Sequence, residues 1–329
     1  MDSLSPIPER RQNGGRPPRL LLCDHRGSRL AEKLRLGSRH PSEVSHSNRL
    51  RDSLLALASQ DPDVLILDPL SATGRAELEV IEQERSRLGV PLLLVHSGLA
   101  GRELLANLNA LGATHFDLID RSAPLDEYWM RIQRLLEERR ARNEIRELRH
   151  RAAHDDRTDL LRPAAFQTRL GEHFSAAQRH GLHLALVLID LDGFGKVNKV
   201  HDHTIGDEVI QRVAEAVRRT LRVEDIAGRL GGDEFAVVLP YTKNTDAARV
   251  VERLREEINR LTGSFGEGRA LVRVAASLGY ETFDGRDLQS ASELRAHAER
   301  ALREAKTRGG NLAVYYRALL AGSESPATR

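Results

Sequence analysis

The segment Asp63–Asp68 reads DVLILD, an apolar run with no polar interruption until its closing aspartate. A strand without alternation has no solvent face, so it must lie inside a sheet that is covered on both sides. Two more runs share the character, RLLLCD at 19–24 and PLLLVH at 91–96, and a fourth strand is expected over 114–119. Amphipathic stretches at 49–59, 75–88 and 101–111 separate them, and a weaker strand is expected near 43–47. Buried strands alternating with helices predict a parallel, doubly wound α/β sheet over 19–123. The polar segment 1–18, with Gly14-Gly15 and Pro17-Pro18, is expected to be a disordered arm, and 318–329 a disordered tail.

One helix is expected over 124–154. Tyr128, Ile132 and Leu135 continue poorly into Ile145, Leu148 and Ala152, and the 13-residue step from Ile132 to Ile145 breaks a heptad register. The segment reads as a helical linker, either pairing weakly with a second copy or standing as a solvated spacer. The rest, 155–317, has the order helix 163–180, strand 182–190, helix 204–221, strands 226–230 and 235–239, helix 245–262, strand 271–281, helix 291–307 and strand 313–316. That order predicts an α+β domain with a mixed sheet. Gly231-Gly232 between apolar runs marks a hairpin, the glycines being read as supplying φ > 0.

The chain carries 50 basic and 48 acidic side chains, which excludes a strongly basic nucleic-acid coat. No apolar run approaches the ~20 residues that span a bilayer. Met1–Arg19 lacks the apolar core of a secretory signal. The single cysteine, Cys23, excludes a disulfide framework and a cysteine zinc site. A cytoplasmic protein is expected. Only five of the basic residues are lysines (Lys33, Lys196, Lys199, Lys243 and Lys306), which singles each of them out.

Asp190 closes one strand and Asp233-Glu234 sit at the hairpin, so three carboxylates can converge on a hard cation. Around them RLGGDEF at 229–235, DLDGFGKVN at 190–198, HTIGDEVI at 203–210 and AKTRGGN at 305–311 occur in order. Together these resemble the GGDEF-domain diguanylate cyclases, which condense two GTP into cyclic di-GMP on a nucleotide-cyclase-like palm. The resemblance implies that Asp190, Glu234 and the Leu191 carbonyl bind Mg²⁺ or Mn²⁺. It implies that Asn198 and Asp207 read guanine, with Phe194 beside them. Asp233 becomes a general base or an organiser, Lys306 a phosphate contact, and Gly231 and Gly232 a close backbone approach to phosphate. Thr204–Asp207 also fits a capping box. Arg222 and Asp225 match the RxxD site at which the family binds cyclic di-GMP as an inhibitor, or they form a simple i,i+3 ion pair.

The chain departs from the family in four places. Gly195 stands where a lysine is usual, with Lys196 one place later, and Gly310 replaces an arginine. Lys199 replaces an aspartate. The opening motif survives only as DDRTDLLRP at 155–163, with Asp159 where the family has glycine. Thinned phosphate charge predicts a slower enzyme, and restoring Gly310→Arg is expected to speed it.

The first domain resembles a response-regulator receiver with Asp68 as a vestigial phosphoacceptor. Asp24 alone remains of the acid pair, His96 takes the Thr/Ser position, and Ile119 replaces the lysine, which is expected to remove the partner of the phosphoryl oxygens. A dimerising or partner-sensing module is expected there. The implied function is a homodimeric, product-inhibited diguanylate cyclase. The alternatives are a catalytically weak or inactive cyclic di-GMP effector and a docking scaffold.

Overall fold

A computed structural model describes residues 16–25, 29–36, 42–69, 75–201, 203–266 and 270–323. Residues 1–15 of the expected arm and 324–329 of the expected tail lie outside them. The chain divides into two compact units, Met1–Arg146 and Glu147–Arg329.

The first unit runs β1 (Arg19–Asp24), α1 (Leu30–Leu36), β2 (Glu43–Ser47), α2 (Leu50–Gln60), β3 (Val64–Asp68), α3 (Arg75–Leu88), β4 (Leu92–His96), α4 (Ala100–Ala110), β5 (Phe116–Asp120) and α5 (Leu125–Ala153). The strands lie in the order β2-β1-β3-β4-β5, and every pairing is parallel. The apolar runs divide by parity as a pleated strand requires. Leu20, Leu22, Ile66 and Leu93 pack with Leu34, Tyr128 and Ile132 on one face. Leu21, Leu65, Leu67 and Leu94 pack with Leu57, Ile81 and Leu104 on the other. Both faces are therefore covered. The early turns of α5 are not spacer: Tyr128, Ile132, Leu135 and Leu136 are core, whereas Ile145 and Leu148 are exposed.

The second unit runs α6 (Pro163–His180), β6 (Leu184–Leu191), α7 (Phe194–His201), α8 (His203–Thr220), β7 (Ile226–Gly231), β8 (Glu234–Pro240), α9 (Asn244–Asn259), β9 (Gly263–Phe265), β10 (Ala270–Val272), β11 (Ala276–Phe283), α10 (Ala291–Thr307), β12 (Ala313–Tyr315) and α11 (Tyr316–Ser323). Its main sheet has the order β12-β11-β6-β8-β7, with β11, β6, β8 and β7 antiparallel to their neighbours and β12 parallel to β11. The central strand β6 is buried at every position. The strand expected over 271–281 is two pieces: β10 pairs with β9, and β11 pairs with β6. Where a tail was expected from 318, α11 continues to Ser323, anchored by the buried Tyr316 ring stacked on His297 at 4.0 Å.

Candidate active site

Asp190 stands one residue from the end of β6, directly opposite Glu234 at the start of β8 and opposite Ser277 of β11. One rung of the sheet thus carries both acids. The two-residue turn Gly232-Asp233 joins β7 to β8, and the Leu191 N–H donates to the Asp233 carbonyl at 3.2 Å. Arg229 braces this turn. Its guanidinium donates to the Gly232 carbonyl at 2.8 and 3.1 Å and to Asp155 at 3.1 Å. Asp155 in turn accepts from the Thr158 N–H and hydroxyl, so the opening motif and the signature hairpin are one hydrogen-bonded assembly.

The Lys306 ammonium lies 2.5 Å from Asp190 Oδ2. Burial pushes the Asp190 carboxyl above its ordinary 3.8; Lys306 opposes the rise, and Asp233 and Glu234 add to it. A largely buried acid beside two others favours a cation. Among the described residues no three His, Cys, Asp or Glu side chains form a ready-made metal cage. Two carboxylates and a carbonyl are nevertheless a fit donor set for Mg²⁺, which draws its remaining ligands from phosphate and water.

The hairpin forms where expected, but its glycines are not there for backbone reasons. Neither Gly231 nor Gly232 has a left-handed φ. A Cβ on Gly232 would meet nothing within 4 Å, and one on Gly231 only Glu234 Oε2 at 3.9 Å. Neither strain nor protein packing calls for glycine at these two positions.

Asn198 and Phe194 lie on α7 against α8. A Cβ on Gly206 would fall 1.9 Å from Asn198 Oδ1 and 3.4 Å from Phe194 Cζ, so any side chain there would displace Asn198. The contact sets Asn198 one residue from Asp207. The Asp207 carboxylate accepts from Arg157 at 2.5 Å, an ion pair that motif reading misses. The capping box is not formed as expected, because α8 begins at His203 and Thr204 lies inside its first turn.

Asp192, to which no role is assigned from the motifs, organises the loop after α10. It accepts from Ser277 Oγ at 2.7 Å and from the Asn311 N–H at 2.6 Å. The D-x-D spacing was the available signal, since period two puts Asp190 and Asp192 on one sheet face. Gly309, Gly310 and Asn311 have φ of 110°, 78° and 52°. A Cβ on Gly310 would sit 3.0 Å from the Asp192 carboxylate atoms. An arginine at 310 is therefore strained, which corrects the expectation that Gly310→Arg simply restores charge.

Arg222 and Asp225 line a recess of about 200 Å³ together with Arg218, His154 and Asp159. They do not form the alternative i,i+3 ion pair. Asp225 accepts from the Arg222 backbone N–H at 2.8 Å, while the Arg222 side chain stays 67% exposed, 3.9 Å from Glu224. Burial raises the Asp225 carboxyl.

In the first unit Asp24 and Asp68 are register partners at the ends of β1 and β3, both fully buried. Ile119 is core, as its apolar character requires. Asp68 nevertheless has a cation, because Arg121, two residues on, pairs with it. His96 faces Asp120 at 3.7 Å.

Residues 152–312 match the family model described as the diguanylate cyclase GGDEF domain. The chain is 36% identical over 166 residues to the bifunctional diguanylate cyclase/cyclic di-GMP phosphodiesterase MucR of Pseudomonas aeruginosa, covering 50% of this chain and 24% of MucR. It is 28% identical over 236 residues to the response regulator PleD of Caulobacter vibrioides, covering 70% of this chain and 51% of PleD. It thus spans about a quarter and about half of these relatives. The solved coiled coil and GGDEF domain of DgcB from Caulobacter crescentus, in complex with c-di-GMP, superposes with a TM-score of 0.52 at 26% identity, covering 54% of this chain and 93% of that one. The four motifs, the shared rung of acids and these matches agree: residues 152–312 are a GGDEF domain of the diguanylate cyclase kind.

Proposed function

We propose that the chain is a cytoplasmic diguanylate cyclase that condenses two GTP into cyclic di-GMP and releases two pyrophosphates. The observation that carries this reading is Asp190 and Glu234 on one sheet rung with Lys306 against them. Those two acids and the Leu191 carbonyl would hold Mg²⁺ or Mn²⁺, which supplies charge neutralisation for the phosphates when bound. Asn198 and Asp207 bind the guanine edge, amide to O6 and carboxylate to the N–H groups. Gly231 and Gly232 admit the phosphates at the hairpin, and Asp233 accepts or orients the proton of the attacking 3′-hydroxyl. Each 3′-hydroxyl attacks the other nucleotide's α-phosphate. One GGDEF domain holds one GTP, so two copies must face each other with two-fold symmetry. Arg222 and Asp225 serve as the inhibitory cyclic di-GMP site, with the exposed Arg222 guanidinium available for bidentate contact.

The first unit is proposed to be a degenerate receiver that pairs copies or senses a partner, with Asp68 held by Arg121 rather than phosphorylated. The PleD match, longer than the GGDEF domain itself, supports this reading. No helix among the described residues is long and apolar enough to cross a membrane.

Purified, nucleotide-stripped protein incubated with Mg²⁺ and GTP should yield cyclic di-GMP, and Glu234→Gln should abolish it. No product from the wild-type chain would overturn the enzyme reading. The exposed Arg222, together with Gly195 and Gly310 in place of phosphate-neutralising cations, favours one second reading, a cyclic di-GMP effector with little turnover. In that case cyclic di-GMP binds and the binding weakens in Arg222→Ala, but no product forms.

A further inference from the structure

A cleft of about 440 Å³ opens beside the acid rung, on the side of α7 away from the guanine-reading residues. Asp192, Gly193, Lys196, Arg273, Gly309 and Asn311 line it. Two of its walls are continuous with the proposed catalytic cluster. One runs from Asp190 through Asp192 to the first turn of α7; the other runs from Lys306 through Gly309 to Asn311, and the Asn311 N–H bond to Asp192 ties the two together. A phosphate chain that begins between Asp190 and Lys306 therefore has the cleft as its next compartment.

The charge in this compartment is unbalanced. The Asp192 carboxylate is already engaged by Ser277 and the Asn311 N–H. Lys196 and Arg273 are both exposed, and among the described residues neither has an ion-pair partner. Neighbouring arginines are committed: Arg255 to Glu252, and Arg308 to Glu304. Lys196 cannot replace the family lysine missing at 195 from the same direction, because one residue along a helix turns the side chain by about 100°. That turn carries it to the cleft. Leu271 and Val200 line the outer part of the cleft and lower the local polarity around both cations.

We propose that Lys196 and Arg273 receive the terminal phosphates of the nucleotide, supplying from the cleft side the charge that Gly195 and Gly310 do not. This rests on the GTP-condensing reading above and adds to it residues that set the preference for a triphosphate. Removing both cations should cost affinity for the triphosphate and leave the diphosphate, which ends short of the cleft, unaffected.

The test is equilibrium binding of guanosine 5′-(β,γ-imido)triphosphate and of GDP to the full chain with Mg²⁺. Lys196→Ala and Arg273→Ala should each weaken the triphosphate about three- to fivefold, and the double variant about tenfold or more, the scale of exposed charge-assisted contacts. GDP affinity and melting temperature should hold, and Lys196→Arg should retain the preference. A double variant with an unchanged triphosphate-to-diphosphate ratio, or an equal loss for both nucleotides, overturns the inference and leaves the cyclase reading standing. A wild-type chain that binds neither nucleotide overturns both.

Discussion

Single side chains decide how this site is tuned. Arg157 occupies the carboxylate proposed to read guanine, and both groups are partly exposed, so the pair is worth below about 1 kcal/mol. Guanine must displace it. Arg157→Leu, which restores the family residue, should tighten GTP binding about two- to fivefold, measured by titration with a non-hydrolysable analogue. Asp190 sets the acid limb. Its carboxyl is raised by burial, so the protonated form persists above the ordinary 3.8. Divalent-cation affinity should therefore begin to fall, as pH is lowered, at a higher pH than an ordinary aspartate predicts. The stability contribution runs the opposite way: protonated Asp190 favours the fold at low pH, and that contribution is lost as pH rises through the raised value. In the first unit Arg121→Ala leaves Asp68 buried without its guanidinium and should cost about 2–4 kcal/mol in urea unfolding, with Asp68→Asn recovering much of it. Acetyl phosphate should leave Asp68 unmodified, and a stoichiometric phosphoryl adduct would contradict the degenerate-receiver reading. Motif spacing made Asp190, Asp207 and Glu234 legible in the sequence. Arg121, Arg157 and Arg229 were not, because a long side chain reaches its partner across loops whose path no local pattern encodes.

Among the elements, the long periodic segments were legible to the residue: α3, α6 and α10 occupy 75–88, 163–180 and 291–307 as read. Their apolar stripes run for several turns, and α10 adds a Ser290 cap that accepts from the Glu293 N–H. The seven-residue α1 and eight-residue α7 were missed, since two turns carry too little periodicity to register. β11 was joined to β10 because Leu271–Ala276 alternates like one strand, yet the chain changes partners there. Two loop conformations carry predictions of their own. Asp159 has φ of 55°, a left-handed residue in the family's glycine position, and its carboxylate makes exposed contacts to His150 and Arg218. Asp159→Gly should stabilise the second unit by about 0.5–1 kcal/mol in chemical denaturation. Gly310→Arg should do the reverse, lowering stability by about 1 kcal/mol or more as its Cβ presses on Asp192. A faster and equally stable Gly310→Arg enzyme would show that the loop relaxes freely.

For the whole molecule, the chain matches the GGDEF model over one stretch only, so the proposed reaction requires a second copy. Specific activity should rise with protein concentration until dimers saturate; a constant specific activity from a strict monomer would contradict the two-site mechanism. The position of the acid rung has a further consequence. Asp190 and Glu234 sit at the last paired rung of β6 and β8, beyond which the hairpin turns, and the Leu191 amide bond to Asp233 is the final tie. Sheets fray from their ends, and amides there exchange with solvent through small openings that leave the interior untouched. In deuterium exchange the Leu191 amide should therefore label well before those of Val187 and Ile189. Heat should silence the proposed catalysis several degrees before the sheet melts, because the rung proposed to carry the chemistry lies at the end of the β6–β8 pairing.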